Sequence, residues 1–267
     1  MKKILNIISV LFGFHSGQIL LEKINRISLY LMGIGSGSGV DDSGEKSVFR
    51  KLSDIDINEY CILDVGANKG QFLNMASKYM VKNNKKFHIH SFEPSKSTYQ
   101  SLLNNTTSLQ NITLNNLGLS DKFGEAILYY DAPGSGLASL VKRDLGFLDR
   151  SFDCKEAITL STVDAYCNEK NITEIHLLKI DVEGHELNVI KGAERMIKEN
   201  KIRMITFEFG GCNVDTSTYF RNFYDFFMKE NYSIYRITPS GYLFLIDKYK
   251  ETREQFITTN FLAIKNA

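Results

Sequence analysis

Residues 61–72 constrain this chain more than any other stretch. Cys61-Ile62-Leu63 is mostly apolar and leads into Asp64, Gly66 and Gly70 bracket a polar turn, and Phe72, Met75, Ala76 and Tyr79 then recur at helical spacing. A buried strand, a tight turn and an amphipathic helix follow from that order. Glycine has no side chain to hold a ligand away and accepts positive φ, so the backbone of such a turn can approach a bound molecule closely. The helix beyond it presents unpaired N–H groups.

The spacing narrows the ligand. A dinucleotide-binding turn reads Gly-x-Gly-x-x-Gly, whereas this one is Gly66-x-x-x-Gly70 with Asn68 in the middle. Asp64 would also repel a phosphate and attract a cation. A sulfonium ligand that carries an amino acid group fits better. A second strand-like stretch, Phe87 to Phe92, delivers Glu93 23 positions after Gly70. An acid roughly 20 residues on is the distance at which a carboxylate reaches the ribose hydroxyls of a bound nucleoside. Pro94 is placed to start the next helix, where its missing N–H costs nothing.

Five motifs now stand in order: Asp64-Val-Gly-Ala-Asn-x-Gly70, Phe92-Glu93-Pro94, Asn116-x-x-Leu119-Ser120-Asp121, Leu178-Lys179-Ile180-Asp181-Val182-Glu183-Gly184 and Lys191-Gly192-Ala193. Together they resemble the FkbM family of S-adenosylmethionine-dependent methyltransferases, from about Ser43 to the C-terminus. The first two are shared by many class I methyltransferases; the Lys-Ile-Asp-Val-Glu-Gly block is more specific. The resemblance implies an α/β fold: a Rossmann-like sheet, mostly parallel with an antiparallel last strand, helices on both faces, and a β-hairpin insertion before the fourth core strand. It also implies S-adenosylmethionine as cofactor, held by Asp64, Gly66, Ala67, Asn68, Gly70, Glu93 and Asp181. In this fold the loop after the third strand lines the adenine, which adds Asn116 and Ser120 to the cofactor set. By the same resemblance Ser139 and Glu45 are weaker candidates, each with an ordinary loop or helix-start explanation.

Composition bounds the rest. With 267 residues the chain can bury one large core, and we expect one catalytic domain over 43–267 preceded by an N-terminal segment, 1–42. The 32 basic and 31 acidic residues leave no electrostatic footprint for a nucleic-acid partner. Cys61, Cys154, Cys167 and Cys212 lack Cys-x-x-Cys spacing and read as reduced thiols.

The run from Met1 to Phe14 is too short to span a bilayer, which needs about 20 apolar residues. Apolar positions continue through Ile19, Leu20, Ile24, Ile27 and Leu31, predicting one or two amphipathic helices that cover the domain or an oligomer partner, with peripheral membrane contact as the lesser reading. Gly33 to Gly39 reads as a flexible linker. Further strands are expected at Ile112–Asn116, Glu125–Tyr130, Ala157–Ser161, Ile175–Ile180, Met204–Phe209, Ser233–Ile237, Leu243–Ile246 and Asn260–Ile264. The aromatic run from Tyr219 to Phe227 has helical spacing and reads as core.

The strand ending at Ile180 delivers Asp181, Glu183, His185 and Glu186 at its carboxyl end, where open α/β sheets bind ligands. Helix capping accounts for one of these acids. Asp181 leads the catalytic candidates, followed by Glu183, His185 and, from the next strand, Glu208. A sulfonium methyl is already a good electrophile, so alignment and water exclusion supply most of the acceleration. A hydroxyl acceptor additionally asks for a base, or for a metal that lowers its pKa. Asp181, Glu183 and Glu208 carry oxygens of the kind a divalent metal accepts, yet no spacing motif supports such a site and none is assigned. The expected function is therefore O-methylation, at a hydroxyl of a sugar, as in polysaccharide biosynthesis, or of another small metabolite, in the cytoplasm. A nucleotide-dependent oxidoreductase and a non-catalytic cofactor-binding module are the alternatives.

Overall fold

The computed structural model describes residues 2–37, 39, 43–146 and 149–266. Helices α1 (Lys2–Phe12), α2 (His15–Leu31) and α3 (Lys46–Ser53) precede an alternating core of β1 (Tyr60–Val65), α4 (Gln71–Lys82), β2 (Phe87–Phe92), α5 (Lys96–Asn105) and β3 (Ile112–Asn115). A small separate sheet follows, made of β4 (Gly118–Leu119), β5 (Gly124–Tyr130) and β6 (Cys154–Ser161). The chain then runs through α6 (Val163–Glu169), β7 (Leu177–Ile180), α7 (Glu186–Lys191), α8 (Glu194–Lys198), β8 (Met204–Phe209), α9 (Cys212–Asp215), α10 (Phe220–Lys229), β9 (Tyr232–Ile237), β10 (Leu243–Leu245) and β11 (Thr259–Lys265).

The large sheet has the order β10-β9-β11-β8-β7-β1-β2-β3. Strands β8, β7, β1, β2 and β3 are parallel, while β11 runs antiparallel between β8 and β9. Sheets covered on both faces need strands that are apolar almost throughout, and β7 is buried at every position. One apolar cluster, with Phe207, Phe223 and Phe261, lies on one face; the other, with Phe49, Phe72 and Ile89, lies on the opposite face. This is the α/β sheet expected from the sequence, and β5 and β6 form the expected hairpin, paired from Gly124 with Leu160 to Tyr130 with Cys154. The direction of sheet growth reverses at β1, with β2 on one side and β7 on the other. A crevice at the carboxyl ends of these strands is where such sheets bind ligands.

Four local expectations need correction. Pro94 lies in the turn rather than at the first helical position, because Glu93 Oε1 accepts the Ser95 N–H at 3.0 Å and helix α5 begins only at Lys96. The apolar repeat from Leu187 to Ile197 breaks into α7 and α8 around Gly192, which presses against the Ser120 carbonyl so closely that a Cβ would lie 1.9 Å from its oxygen. Residues 33–37 are not a free linker: Ile34 and Ser36 are buried, and the N–H groups of Gly35 and Gly37 donate to the Thr258 carbonyl at 3.0 and 3.3 Å. Ser38 of that run, and residues 40–42 of the N-terminal segment, lie outside the described residues. Finally, α1 and α2 do not cover the domain. The only buried residue of α2 is Gly17, which meets the Phe12 backbone of α1, and the apolar side chains at Val10, Ile27 and Leu31 are exposed. Among the described residues no helix is long and apolar enough to cross a membrane.

The aromatic face of α10 is core, as its spacing predicts. Phe220, Phe223 and Phe227 are fully buried, and the Phe223 ring stacks on Phe207 with centroids 4.8 Å apart. Phe223→Ala should therefore lower unfolding free energy by about 3–5 kcal/mol, read as a shifted urea midpoint at unchanged slope.

Candidate active site

The carboxyl ends of β1, β2, β7 and β8 open into a cavity of about 650 Å³. Its polar wall comes from the strand ends and the turns after them: Asn68 from the β1 turn, Glu93 after β2, Lys179, Asp181, Glu183 and His185 from β7 and its loop, and Glu208 from β8. Glu45, just before α3, and Asn260 of β11 complete it. Its apolar wall comes largely from the small sheet and the loop inside the hairpin, including Leu128, Leu140, Ile158 and Leu160.

The glycine turn is shaped by close approach. Gly66 has φ +83, and a Cβ there would lie 1.7 Å from the Asp181 carbonyl oxygen, so only glycine lets the β1 and β7 ends meet. The Gly66 and Ala67 N–H groups both donate to the Phe92 carbonyl, at 3.0 and 2.9 Å, which ties the turn to β2. Asn68 has φ 49 and its N–H donates to Glu93 Oε2 at 3.0 Å, while its buried side-chain oxygen has no protein partner. Gly70, at φ 89, closes the turn and precedes α4.

Asp64 does not reach the wall. Its carboxylate is fully buried behind Lys179, with Lys179 Nζ 3.6 Å from Oδ1, and neither oxygen has a hydrogen bond. Lys179 lies nearer Asp181, donating to Oδ2 at 3.1 Å, and its ammonium sits 5.3 Å from the centre of the Phe72 ring. Burial alone would lower the Lys179 pKa, but Asp181, Asp64 and Glu45 together push it up. Asp64 is pushed up as well, because full burial outweighs its more distant share of the lysine. Burial likewise raises Glu45 and Glu93 to about 7, the first opposed by Lys179 and the second by the Ser95 and Asn68 N–H groups.

The loop after β7 is clamped by the hairpin insertion. Glu183 has φ 53, its carbonyl accepts Ser139 Oγ–H at 2.8 Å, and its carboxylate takes an ion pair from Arg143 at 3.0 Å. Arg143 also reaches Asp215 at 2.9 Å. Burial and the Asp181 charge push Glu183 up against the pull of Arg143. His185 Nε2 bonds Ser120 Oγ at 2.8 Å, Ser120 donates to Asp121 at 2.9 Å, and burial lowers the imidazole pKa. Glu186 turns inward and accepts the Val182 and Gly184 N–H groups at 3.2 and 3.0 Å, so it is the capping acid. Glu208 differs from the other acids that line the cavity: among the described residues no protein hydrogen bond reaches its carboxyl. Burial and the charges of Asp181, Glu183 and Glu186 push it well above the usual carboxylate range.

Of the residues singled out in the sequence, Gly66, Ala67, Asn68, Glu93, Asp181, Glu183, His185 and Glu208 line the cavity together. Asp64 and Gly70 stand behind the wall. Asn116 lies outside it, its side-chain amide donating to the Glu93 and Pro94 carbonyls at 2.9 Å, and Ser120 reaches the site only through His185. His176 accepts the Cys61 N–H at 2.9 Å and is structural. Sequence reasoning misses Lys179 and Arg143 as functional residues. Lys179 is visible inside its motif, next to Ile180-Asp181, whereas Arg143 lies in an irregular loop with no spacing signal. Among the described residues no cluster of three or more His, Cys, Asp or Glu side chains is arranged to hold a metal.

Five carboxylates against Lys179 and Arg143 make this cavity suited to a cationic ligand. The unpartnered Asn68 oxygen adds a free acceptor, and the Glu93 carboxylate stands beside it. A ligand with an ammonium, a sulfonium and a ribose matches that donor set, so the residues present fit S-adenosylmethionine.

Glu186 gives stability a pH dependence of definite sign. Its fully buried carboxyl is raised from an ordinary 4.5 to about 7 by burial, with the Gly184 and Val182 N–H groups opposing. The stabilisation is complete below the unfolded pKa and is lost as pH rises through about 7. Glu186→Gln should flatten unfolding free energy between about pH 5 and 8 by on the order of 2 kcal/mol relative to the parent, measured by urea titration at each pH.

The chain is similar in structure to a Clostridium thermocellum protein described as a candidate rRNA methylase, with 8% identity, 86% of this chain and 100% of that one covered, and a TM-score of 0.44. It is similar to the Methanococcus jannaschii fibrillarin pre-rRNA processing protein at 12% identity, over 78% of this chain and 67% of that one, with a TM-score of 0.41. A Listeria monocytogenes chain described as a candidate class I S-adenosylmethionine-dependent methyltransferase matches at 13% identity, over 86% and 64%, with a TM-score of 0.39. No curated protein matches the sequence. The family described as Methyltransferase FkbM domain matches residues 64–234, well over half of the chain. That span takes in the glycine turn, the acidic strand ends at Asp64, Glu93, Asp181 and Glu208 and the clamped loop, and it sets the oxidoreductase alternative aside. The chain belongs to the FkbM family of S-adenosylmethionine-dependent methyltransferases.

Proposed function

We propose that the enzyme transfers a methyl group to a hydroxyl of a sugar or another small metabolite, with Glu208 taking up the hydroxyl proton. The buried Glu208 carboxyl, facing the cavity without a protein partner, carries this reading. Every other catalytic candidate is already engaged: Asp181 with Lys179, Glu183 with Arg143 and His185 with Ser120. Burial and the neighbouring acids hold this carboxyl above the usual carboxylate range, which makes its ionised form a stronger proton acceptor as the new C–O bond forms. S-adenosylmethionine supplies the methyl group, bonded to a sulfonium. Gly66, Ala67, Asn68 and Glu93 hold the cofactor on the β1 and β2 side, and Asp64 positions Lys179 behind them. Asp181 and the Arg143–Glu183 pair orient the acceptor.

The cavity volume falls within the range of about 300–1,000 Å³ usual for small-molecule sites. Its excess of carboxylates opposes the approach of a phosphate backbone, which favours a neutral acceptor over RNA. The segments 1–42 and 43–267 act in this reading as an accessory N-terminal unit and the catalytic domain.

Isothermal titration with S-adenosylhomocysteine should show binding that Glu93→Ala weakens about 10- to 100-fold, the cost of losing a charged hydrogen-bond partner. Because S-adenosylhomocysteine lacks the sulfonium charge, Glu208→Gln should leave its binding intact while lowering kcat on a glycoside or metabolite acceptor by about 100-fold or more. Cofactor binding with no turnover on any hydroxyl acceptor would instead favour the non-catalytic module.

A further inference from the structure

Outside the catalytic cavity, one charge stands where the fold calls for an apolar side chain. Alternation along β9 turns Tyr232, Ile234 and Arg236 to one face of the sheet, and all three are buried. Pairing register sets Arg236 between Phe244 of β10 and Phe261 of β11. It is only 9% exposed, its Nε has no hydrogen-bond partner, and among the described residues no acid pairs with its guanidinium. The Phe244 ring, with its centre 5.0 Å from the guanidinium, offsets part of the cost of burying this charge. A buried cation without an anion remains costly.

Arg236 lines a pocket of about 350 Å³, and Lys250 and Arg253 join it there. Among the described residues no carboxylate lines this pocket. Burial, and after it the charge of Arg253, lower the Arg236 pKa, so the two guanidiniums repel each other. Arg253 has one acid, Asp247, 3.7 Å from its Nη2 and largely in solvent. Lys250 is exposed and has no acid partner among the described residues. Much of the remaining wall is apolar, with Leu29, Ile34, Phe209 and Ile246. No described residue lines both this pocket and the catalytic cavity.

We propose that this pocket binds a phosphate monoester with an apolar body, its phosphate held by Arg236, Lys250 and Arg253 and its body against Leu29, Ile34 and Phe209. Arg236 and Lys250 both lack an acid, so the pocket offers a pair of uncompensated positive charges with Arg253 beside them. A phosphate monoester carries a charge of about −1.5 to −2 at neutral pH, whereas a carboxylate carries only one. A planar guanidinium also matches phosphate oxygens two at a time. The apolar wall gives an organic group a place that a bare phosphate would leave empty. The volume lies at the lower end of the range of about 300–1,000 Å³ usual for small-molecule sites. A purely structural role, with Arg236 packed on Phe244, is the competing account. It explains neither the unpartnered Nε nor three cations lining one pocket without a carboxylate.

The test is thermal unfolding of the full chain titrated with inorganic phosphate, phenyl phosphate and benzoate, each against sodium chloride at equal ionic strength. Phenyl phosphate should raise Tm saturably and at a lower half-saturating concentration than inorganic phosphate, while benzoate has little effect. Arg236→Met keeps an apolar stem and removes the charge, and should weaken phenyl phosphate binding by about ten-fold or more, the loss of a charged hydrogen-bond partner. Without added anion that variant should be at least as stable as the parent, because an unpaired buried charge is gone. Lys250→Gln changes an exposed side chain and should weaken binding about two- to five-fold. Phenyl phosphate that shifts Tm no more than chloride does overturns the proposal, as does a shift that survives Arg236→Met undiminished. Benzoate acting as strongly as phenyl phosphate would make this a carboxylate site, and inorganic phosphate binding as tightly would make it a site for the free anion; either overturns it. An Arg236→Met chain less stable than the parent, with Lys250→Gln leaving the phenyl phosphate shift unchanged, assigns the guanidinium to packing alone and overturns it too.

Discussion

Lys179 holds the centre of this molecule together. It is a buried cation on a core strand, and its charge is shared between Asp64 on the neighbouring strand and Asp181 at its own strand's end. The pairing register sets Asp64 directly across from Lys179, so the interaction follows from how β1 and β7 align. A slip of one residue would turn the lysine to the opposite face and leave Asp64 buried without a cation. Neither Asp64 oxygen has a hydrogen bond, so the lysine charge is its main compensation. Buried ion pairs of this sort add little net stability against their desolvation cost, yet losing either partner is severe. The pair specifies register, and register brings the strand ends into one crevice.

Much of that crevice is legible in the order of residues alone. Asp64, Glu93, Asp181 and Glu208 each end or follow an apolar stretch of strand length, and parallel strands must bring such positions to one edge. What stays hidden depends on contacts between distant segments. Asp64 reads as a ligand contact because it precedes the glycine turn; only the packing of Lys179 over it seals it from the cavity. Asn116 reads as a base-edge contact, but its amide is consumed by the Glu93 and Pro94 carbonyls. Arg143 emerges from a loop whose composition says nothing about destination. Glycine is ambiguous as well. The run from Gly33 reads as flexible, yet the missing Cβ there lets backbone pack against backbone: at Gly33 a Cβ would fall 2.2 Å from the Ile237 carbonyl oxygen.

The hairpin insertion has a role beyond walling the cavity. Glu183 adopts a backbone conformation that side-chain-bearing residues rarely take, and such strain persists only where the surroundings over-determine it. Ser139 holds its carbonyl and Arg143 its carboxylate, both from the loop within the hairpin. The acids after β7 are therefore positioned by the insertion as much as by their own strand. Variation in that loop could reshape the acceptor side while leaving the β1 turn untouched, a division of labour that suits a fold used for many acceptors.

The cluster of raised carboxyls has a mechanistic consequence of its own. Glu45, Glu93, Glu183 and Glu208 are all pushed upward, chiefly by burial, with repulsion from neighbouring acids, Asp181 and Asp64 among them, adding to it. Such groups ionise together only when positive charge enters among them. A cationic ligand held beside Glu93 would supply it, lowering each carboxyl toward its charged form. Under the proposed function, Glu208 is then least able to act as a base in the empty cavity and best able once the methyl donor is in place. Binding and proton acceptance are in this way linked through electrostatics alone, with no movement of the backbone required.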